Sequence, residues 1–334
     1  MLDIFETHAH LHAYQFDEDR DRIIREMHAG FPKPAKDSGS GTNIEASADS
    51  CGSAAETVYR ISRIIDVAAE LDSLDRVMDL TRRYDFIYGA IGLHPDEIAD
   101  LTDETEVYME KLLEDPKVVA VGEIGIDYYW NKEAKNVQIA GFERQIDMAV
   151  RHGLPIIVHS REAAEDTMNV VRANAERIKA AVRARRAEKA LRTGKNREEG
   201  IFRTESPVEA AANIGTKPPA DACPGIIHCY SYSVEHARMY ADMGFMIGIG
   251  GVVTYKNAKK LKEVVKEIPL GSLVLETDCP YLTPTPFRGK RNDPRMLVYT
   301  AEAIAEIKAI SKNSVLSQTE KNAEIAFDLN NADI

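Results

Sequence analysis

Thr7-His8-Ala9-His10 follows the apolar run Met1-Leu2-Asp3-Ile4-Phe5, so a His-x-His pair stands at the end of a candidate strand. Side chains alternate faces along a strand, which sends His8 and His10 to the same side, where two imidazoles can share one cation. An isolated pair is equally compatible with ordinary surface or core histidines. Other runs, however, also end on nitrogen or oxygen donors: Val118 to Gly122 on Glu123, Leu154 to Val158 on His159, Gly225 to Ile227 on His228, and Leu273 to Thr277 on Asp278. Any one of these residues alone reads as structural. Five strand ends that all offer metal-ligand chemistry point to a shared site.

The elements that must position these residues alternate along the chain. Strand-like runs fall at Met1 to Phe5, Ile64 to Ala68, Phe86 to Ile91, Val118 to Glu123, Leu154 to His159, Gly225 to His228, Phe245 to Ile249 and Leu273 to Glu276. Amphipathic stretches lie between them; Val137, Phe142, Ile146, Ala149 and Val150 keep helical spacing through Asn136 to His152. Eight βα units with polar chemistry at the strand ends predict an α/β fold, a (β/α)8 TIM barrel whose site gathers at the C-terminal mouth. An open doubly wound sheet would spread the same five ends along a crevice, whereas a closed barrel brings them to one point. One barrel domain over residues 1–334 is expected, with insertions at about 28–59 and 173–222. Each insertion follows a helix and precedes a strand, which places it at the N-terminal face. Deletion of Asn174 to Lys217 is therefore expected to leave catalysis intact.

The first insertion is rich in Pro, Gly and Ser, the composition of a flexible excursion. The second begins as a basic run with Arg177, Lys179, Arg183, Arg185, Arg186 and Lys189. It reads more readily as a solvated helix face than as a nucleic-acid patch. Across all 334 residues the net charge is −12, so no global basic field draws the protein to nucleic acid or anionic lipid. With 44% hydrophobic and 29% charged residues, the composition is that of a folded globular protein. Its four cysteines show no CxxC spacing, which argues against structural zinc and a disulfide scaffold and favours a reducing compartment. No secretory leader and no membrane-spanning run are evident, and a cytoplasmic location with no membrane partner is expected.

Read together, Glu6-Thr7-His8-Ala9-His10-Leu11, Gly92-Leu93-His94-Pro95, Gly122-Glu123-Ile124-Gly125-Ile126-Asp127-Tyr128-Tyr129, His159-Ser160-Arg161, His228-Cys229-Tyr230-Ser231 and Glu276-Thr277-Asp278-Cys279-Pro280-Tyr281-Leu282 closely resemble the TatD family of metal-dependent deoxyribonucleases. The likeness extends to Arg288-Gly289-Lys290-Arg291-Asn292-Asp293-Pro294 and covers Met1 to about Met27, Ile64 to Arg172 and Gly225 to about Phe327. It implies a (β/α)8 barrel with two divalent ions, one held by His8, His10 and Asp278, the other by His159 and His228, with Glu123 bridging both. It also implies deoxyribonuclease activity, acting from a 3′ end on single-stranded DNA.

A mixed imidazole and carboxylate set without thiolate suits Zn²⁺, Mn²⁺ or Fe²⁺, and Mg²⁺ less well. Two such ions can activate a water and stabilise entering and leaving oxygens at phosphorus, with Asp278 as the natural proton acceptor. Cys229 and Cys279, next to proposed ligands, are expected to face away as small buried hydrophobes. Glu276 and His94 are placed to orient a ligand or contact substrate. Arg161 is the best candidate for gripping a phosphate, ahead of Arg288, Lys290 and Arg291. Tyr128, Tyr129 and Trp130 are candidates for stacking on unpaired bases or for packing. The acidic chain disfavours tight duplex binding, leaving single strands or DNA ends as the expected partner. Two other functions fit the same residues: a hydrolase of a small ester, amide or phosphoester on the same barrel, and a non-catalytic interaction protein working through its insertions.

Overall fold

The computed structural model describes residues 1–35, 57–130, 134–193 and 222–329. Eight strands, β1 (Leu2–Ala9), β2 (Tyr59–Val67), β3 (Ile87–Ile91), β4 (Val118–Asp127), β5 (Ile156–Arg161), β6 (Gly225–Ile227), β7 (Met246–Ile249) and β8 (Leu273–Leu275), pair in parallel in sequence order. The ring closes where β8 meets β1, through an Ala9–Cys279 bridge, Asp278 N–H donating to the His8 carbonyl at 3.0 Å, and His10 N–H donating to the Cys279 carbonyl at 2.9 Å. This is the expected (β/α)8 barrel. Its helices are α1 (Arg20–Ala29), α2 (Ser73–Arg83), α3 (Asp103–Leu113), α4 (Lys135–His152), α5 (Ala164–Thr193), α6 (Val234–Asp242), α7 (Lys259–Glu267), α8 (Leu297–Lys308) and α9 (Lys312–Phe327). Among the described residues no helix is long and apolar enough to cross a membrane.

Period-2 alternation along the strands divides the core in two. Inside the barrel, every strand contributes at least one side chain to one cluster: Phe5, Ile65, Tyr88, Val119, Ile157, Ile226, Met246 and Val274. Ala323, Ala326 and Phe327 at the end of α9 join it, with the Phe5 and Phe327 rings 6.0 Å apart. The larger cluster lies between strands and helices, where Ile4, Ile61, Ile64, Val158 and Ile247 meet Ile146, Val171 and Ile304. A barrel filled at one end leaves its polar strand ends to converge at the other.

Strand β1 runs on to Ala9 and β2 begins at Tyr59, both longer than the sequence expectation, and two further departures bear on the site and the core. Strand β4 does not stop at Glu123. It continues to Asp127, pairing Gly125 with His159 and Asp127 with Arg161 after a register shift between Val121 and Ile124. Gly125 permits this: a Cβ there would sit 1.9 Å from the His159 carbonyl oxygen, and its φ is +151°.

The second departure is in α5, which runs unbroken from Ala164 to Thr193, so the stretch from Ala173 onward is first of all a continuation of the fifth barrel helix. Ala175, Ile178 and Val182 are buried against the core. The basic residues alternate with that apolar stripe and tether the helix: Arg177 pairs with Asp147 at 2.7 Å, and the Arg185 guanidinium donates to the His152 carbonyl at 2.9 Å. Deletion from Asn174 would therefore remove packed core, which corrects the expectation of a dispensable segment. We expect Ile178→Ala to lower unfolding free energy by about 2–5 kcal/mol, the range for emptying a buried aliphatic site. A urea titration checks it, and an unchanged midpoint would contradict the packing. Residues 194–221, and 36–56 of the first insertion, lie outside the described residues. The flank of the first insertion is pinned by a Phe31–Tyr59 antiparallel bridge at the start of β2, on the N-terminal face.

Candidate metal centre

His8 and His10 project from the end of β1 on the same side, with their Nε2 atoms 3.2 Å apart. The His10 ring is fixed by Nδ1 lying 2.8 Å from the Val67 carbonyl. A backbone carbonyl accepts only, so Nδ1 carries the proton and Nε2 is left as a lone-pair donor toward the centre of the mouth. Asp278 comes in from the segment after β8, with Oδ1 at 3.3 Å from His10 Nε2 and 3.8 Å from His8 Nε2. Its φ of +57° is a backbone conformation seldom adopted outside glycine, and it is sustained by the bond to the His8 carbonyl.

Glu123 reaches the centre from β4 and divides its two oxygens. Oε2 lies 3.1 Å from His8 Nε2 and 3.7 Å from His10 Nε2, while Oε1 lies 2.8 Å from His159 Nδ1. His228, at the end of β6, stacks its ring 3.5 Å from that of His8. Of the five groups at the mouth whose donor atoms lie within 4.8 Å of one another among the described residues, two together hold all six residues, His8–His10–Asp278 and Glu123–His159–His228. All six residues named from the sequence are thus brought together, and Glu123 has one oxygen on each side.

The electrostatics match a cation site. Burial alone would push Glu123 upward, yet the His159 and His8 rings beside it hold its carboxyl well below the usual range. Asp278 is likewise lowered against its burial by His10. Glu6, beneath the site on β1, is pushed up to about 8 by burial, although it accepts hydrogen bonds from Thr277 and His8.

The family model described as TatD related DNase matches residues 5–328. This chain belongs to the TatD family. It is 36% identical to the uncharacterised metal-dependent hydrolase YabD of Bacillus subtilis over 98% of this chain and 100% of that protein. To the uncharacterised metal-dependent hydrolase TatD of Mycobacterium tuberculosis it is 32% identical, over 80% of this chain and 87% of that protein. The crystal structure of YjjV, a TatD homologue from Escherichia coli, shares the fold with a TM-score of 0.71 at 23% identity, covering 98% of each chain. The protein is accordingly a metal-dependent hydrolase of the TatD family.

The residues present fit divalent ions of the kind a TatD-family hydrolase requires. His8 and His10 turn two nitrogens toward each other at 3.2 Å, a contact that a shared cation relieves, and borderline imidazole and hard carboxylate donors suit first-row divalent metals.

Around this centre the remaining candidates separate. Glu276 is fully buried; Oε1 accepts the Cys229 N–H at 2.6 Å and Oε2 lies 3.2 Å from His228 Nδ1, so it backs a ligand rather than meeting substrate. Gly248 makes room for it, since a Cβ there would fall 2.2 Å from Glu276 Oε2. His94 accepts the Asp96 N–H on Nδ1 and holds Nε2 3.7 Å from Glu123 Oε1, edge-on to His159. Arg161 is exposed and stacks its guanidinium 3.6 Å from the Tyr129 ring centroid. Tyr128 instead turns inward and donates its hydroxyl to Asp166, while its neighbours Tyr129 and Trp130 are the exposed pair. Arg288 lies over the Tyr255 ring at 4.1 Å. Arg291 is held by Asp19 through two bonds of 2.9 and 2.8 Å and tethers a loop.

Two residues were misjudged or missed from sequence. Cys229 was expected to face away from the site, but β6 has already ended at Ile227 and Cys229 takes φ +45°, so strand alternation does not apply. Its thiol lies within the His228–Cys229–Asp278 group. Cys279 does pack into the apolar layer. Asp127 received no role from the sequence, yet its Oδ2 meets His159 Nε2 at 3.0 Å.

Proposed function

We propose that this protein is a deoxyribonuclease that hydrolyses phosphodiester bonds from the 3′ ends of single-stranded DNA, with two divalent ions drawn from Zn²⁺, Mn²⁺, Fe²⁺ and Mg²⁺. One observation carries the reading: Glu123 presents one oxygen to each of two ligand groups, His8–His10–Asp278 and His159–His228, at a mouth lined by exposed rings and Arg161. When bound, two such ions supply Lewis-acid stabilisation of phosphoryl oxygens and a water of lowered pKa.

The chain's own residues do the rest. Asp278 is the more open carboxylate, its side chain 18% exposed against 5% for Glu123, and the carboxylate oxygen not turned to His8 and His10 takes the proton released as water attacks phosphorus. Arg161, stacked on Tyr129 and in no ion pair with a carboxylate among the described residues, offers a planar fork to a non-bridging phosphate oxygen. His94 Nδ1 accepts a backbone N–H, which leaves the proton on Nε2 as a donor toward the same region. Tyr129 and Trp130, 50% and 67% exposed, give π-faces to unpaired bases, a contact that a base-paired duplex cannot make. The net charge of −12 opposes the extended phosphate contacts that duplex binding needs.

The test is elemental analysis of the purified protein coupled to digestion of 3′- and 5′-labelled single-stranded DNA, with and without chelator. Chelator-sensitive loss of the 3′ label is expected. Bound metal with intact DNA and turnover of a small ester or amide would make the protein a small-molecule hydrolase instead. No metal and no turnover would favour a non-catalytic interaction protein. In the same assay, Tyr129→Ala with Trp130→Ala should raise KM for single strands by about 1–3 kcal/mol per lost stacking contact and leave kcat on a minimal phosphodiester unchanged. An unaltered KM would remove the rings from the substrate path.

A further inference from the structure

Asp127 sits at the end of β4 with almost no solvent exposure, and both of its oxygens are engaged. Oδ2 lies 3.0 Å from His159 Nε2. Oδ1 accepts the Tyr129 N–H at 2.8 Å and the Trp130 N–H at 3.4 Å. The residue is itself clamped: Gln138 on α4 accepts the Asp127 N–H through Oε1 at 2.8 Å and donates through Nε2 to the Asp127 carbonyl at 2.9 Å. A carboxylate held this firmly cannot drift to serve either partner alone.

We infer that Asp127 is a positioning residue that ties the metal centre to the substrate rim: one oxygen sets the tautomer and ring plane of His159, while the other fixes the turn carrying Tyr129 and Trp130. The inference rests on the two-ion reading above and adds to it a residue that touches neither ion nor substrate. A carboxylate accepts only, so Asp127 keeps a proton on His159 Nε2, and a cation seated between Nδ1 and Glu123 Oε1, 2.8 Å apart, would displace any proton there and take the Nδ1 lone pair. Glu276 Oε2 lies 3.2 Å from His228 Nδ1, a charge contact that lacks the hydrogen-bond geometry Asp127 has toward His159. Among the described residues the Nδ1 atoms of His8 and His228 are both buried without a hydrogen-bond partner, and His10 Nδ1 meets the Val67 carbonyl, so the carboxylate bond to His159 sets that ring apart.

Asp127→Asn tests this because an amide cannot satisfy both partners. With Nδ2 toward His159, the amide donates to Nε2 and moves the imidazole proton to Nδ1, where it blocks the ligand position. With the oxygen toward His159, Nδ2 confronts the Tyr129 N–H, donor against donor. Cobalt(II) is titrated into chelator-stripped wild-type and Asp127→Asn protein, following d–d absorption and affinity by competition. Wild type should take up two equivalents. The variant should hold one of them about 10- to 100-fold more weakly, with an altered spectrum. Unchanged affinity for both ions and an unchanged spectrum would overturn the proposal while leaving the two-ion reading intact. Wild-type protein that binds no cobalt would instead defeat the two-ion reading itself.

A measurement on unmodified protein covers the case in which the variant does not fold. In zinc-loaded, ¹⁵N-histidine-labelled wild type, His159 should show a slowly exchanging Nε2 proton, assigned by its disappearance in His159→Gln. The His94–Asp127–His159 group also has donor atoms within 4.8 Å. A deprotonated Nε2 together with a third equivalent of bound metal would make it a cation site and sink the positioning role.

Discussion

Glu123→Gln should abolish turnover and metal retention together, with activity at least about 10³-fold below wild type, equivalent to about 4 kcal/mol at the transition state. The side chain is almost wholly buried, and four imidazole nitrogens face it: His8 Nε2 at 3.1 Å, His10 Nε2 at 3.7 Å, His159 Nδ1 at 2.8 Å and His94 Nε2 at 3.7 Å. A glutamine fills the same volume but offers one acceptor and one donor group where the carboxylate offers two acceptors. Whichever way the amide turns, one ligand group loses its oxygen and gains an N–H aimed at nitrogens that should be bare. The charge lost sits between the two groups, with one oxygen on each, so the defect should reach both ions. Elemental analysis after gel filtration and single-strand digestion at saturating metal check the two halves of the expectation. Wild-type stripped with chelator should recover on metal addition, and Glu123→Gln should not. A variant that kept two ions and a wild-type rate would remove Glu123 from the centre.

How far the sequence reveals such a site depends on whether a residue's role is fixed by its own strand or by a neighbour's. His8, His10, His159 and His228 are legible because each ends a short run of apolar, often β-branched residues, and in a closed parallel barrel every such end arrives at the same mouth. Asp127 is not legible in that way. An isolated glycine at 125 reads as the end of a strand, and only the shifted register of β4 against β5 shows that pairing continues and sets Asp127 beside the His159 segment. Tyr128 and Tyr129 are adjacent and chemically equivalent, and what separates them is a single acceptor, Asp166 on α5, 38 residues away in sequence. The basic run from Arg177 hid a core helix because Ala175, Ile178 and Val182 are few among many charges, although their spacing of three and four is helical. Cys229 shows the limit of alternation, which holds while a strand lasts and has lapsed two residues beyond it.

Asp278→Asn should lower kcat by about 10²- to 10⁴-fold at saturating metal, the range for losing a positioned proton acceptor, with little change in KM. The substitution is clean at the backbone. Asp278 has φ +57°, a region that asparagine tolerates as readily as aspartate, and its N–H bond to the His8 carbonyl and the neighbouring Asn292 bonds to the Thr277 and Tyr281 carbonyls do not involve the carboxylate. What changes is one oxygen. Oδ1 now stands 3.3 Å from His10 Nε2 and 3.9 Å from His228 Nε2, on the side of the centre open to the mouth. An asparagine oxygen there can still lie beside a cation, but the amide nitrogen in the other position cannot take a proton. Binding and chemistry should therefore part: the proposed substrate grip through Arg161 and the Tyr129–Trp130 rim would be untouched, whereas the attacking water would have lost its proposed proton acceptor. Asp278→Ala, which loses the ligand oxygen as well, should add a fall in metal affinity that the asparagine variant shows only weakly. Rates at saturating DNA across a metal titration separate the two effects. If Asp278→Asn turned over at the wild-type kcat once metal was saturating, the proton acceptor would have to be sought elsewhere in the mouth.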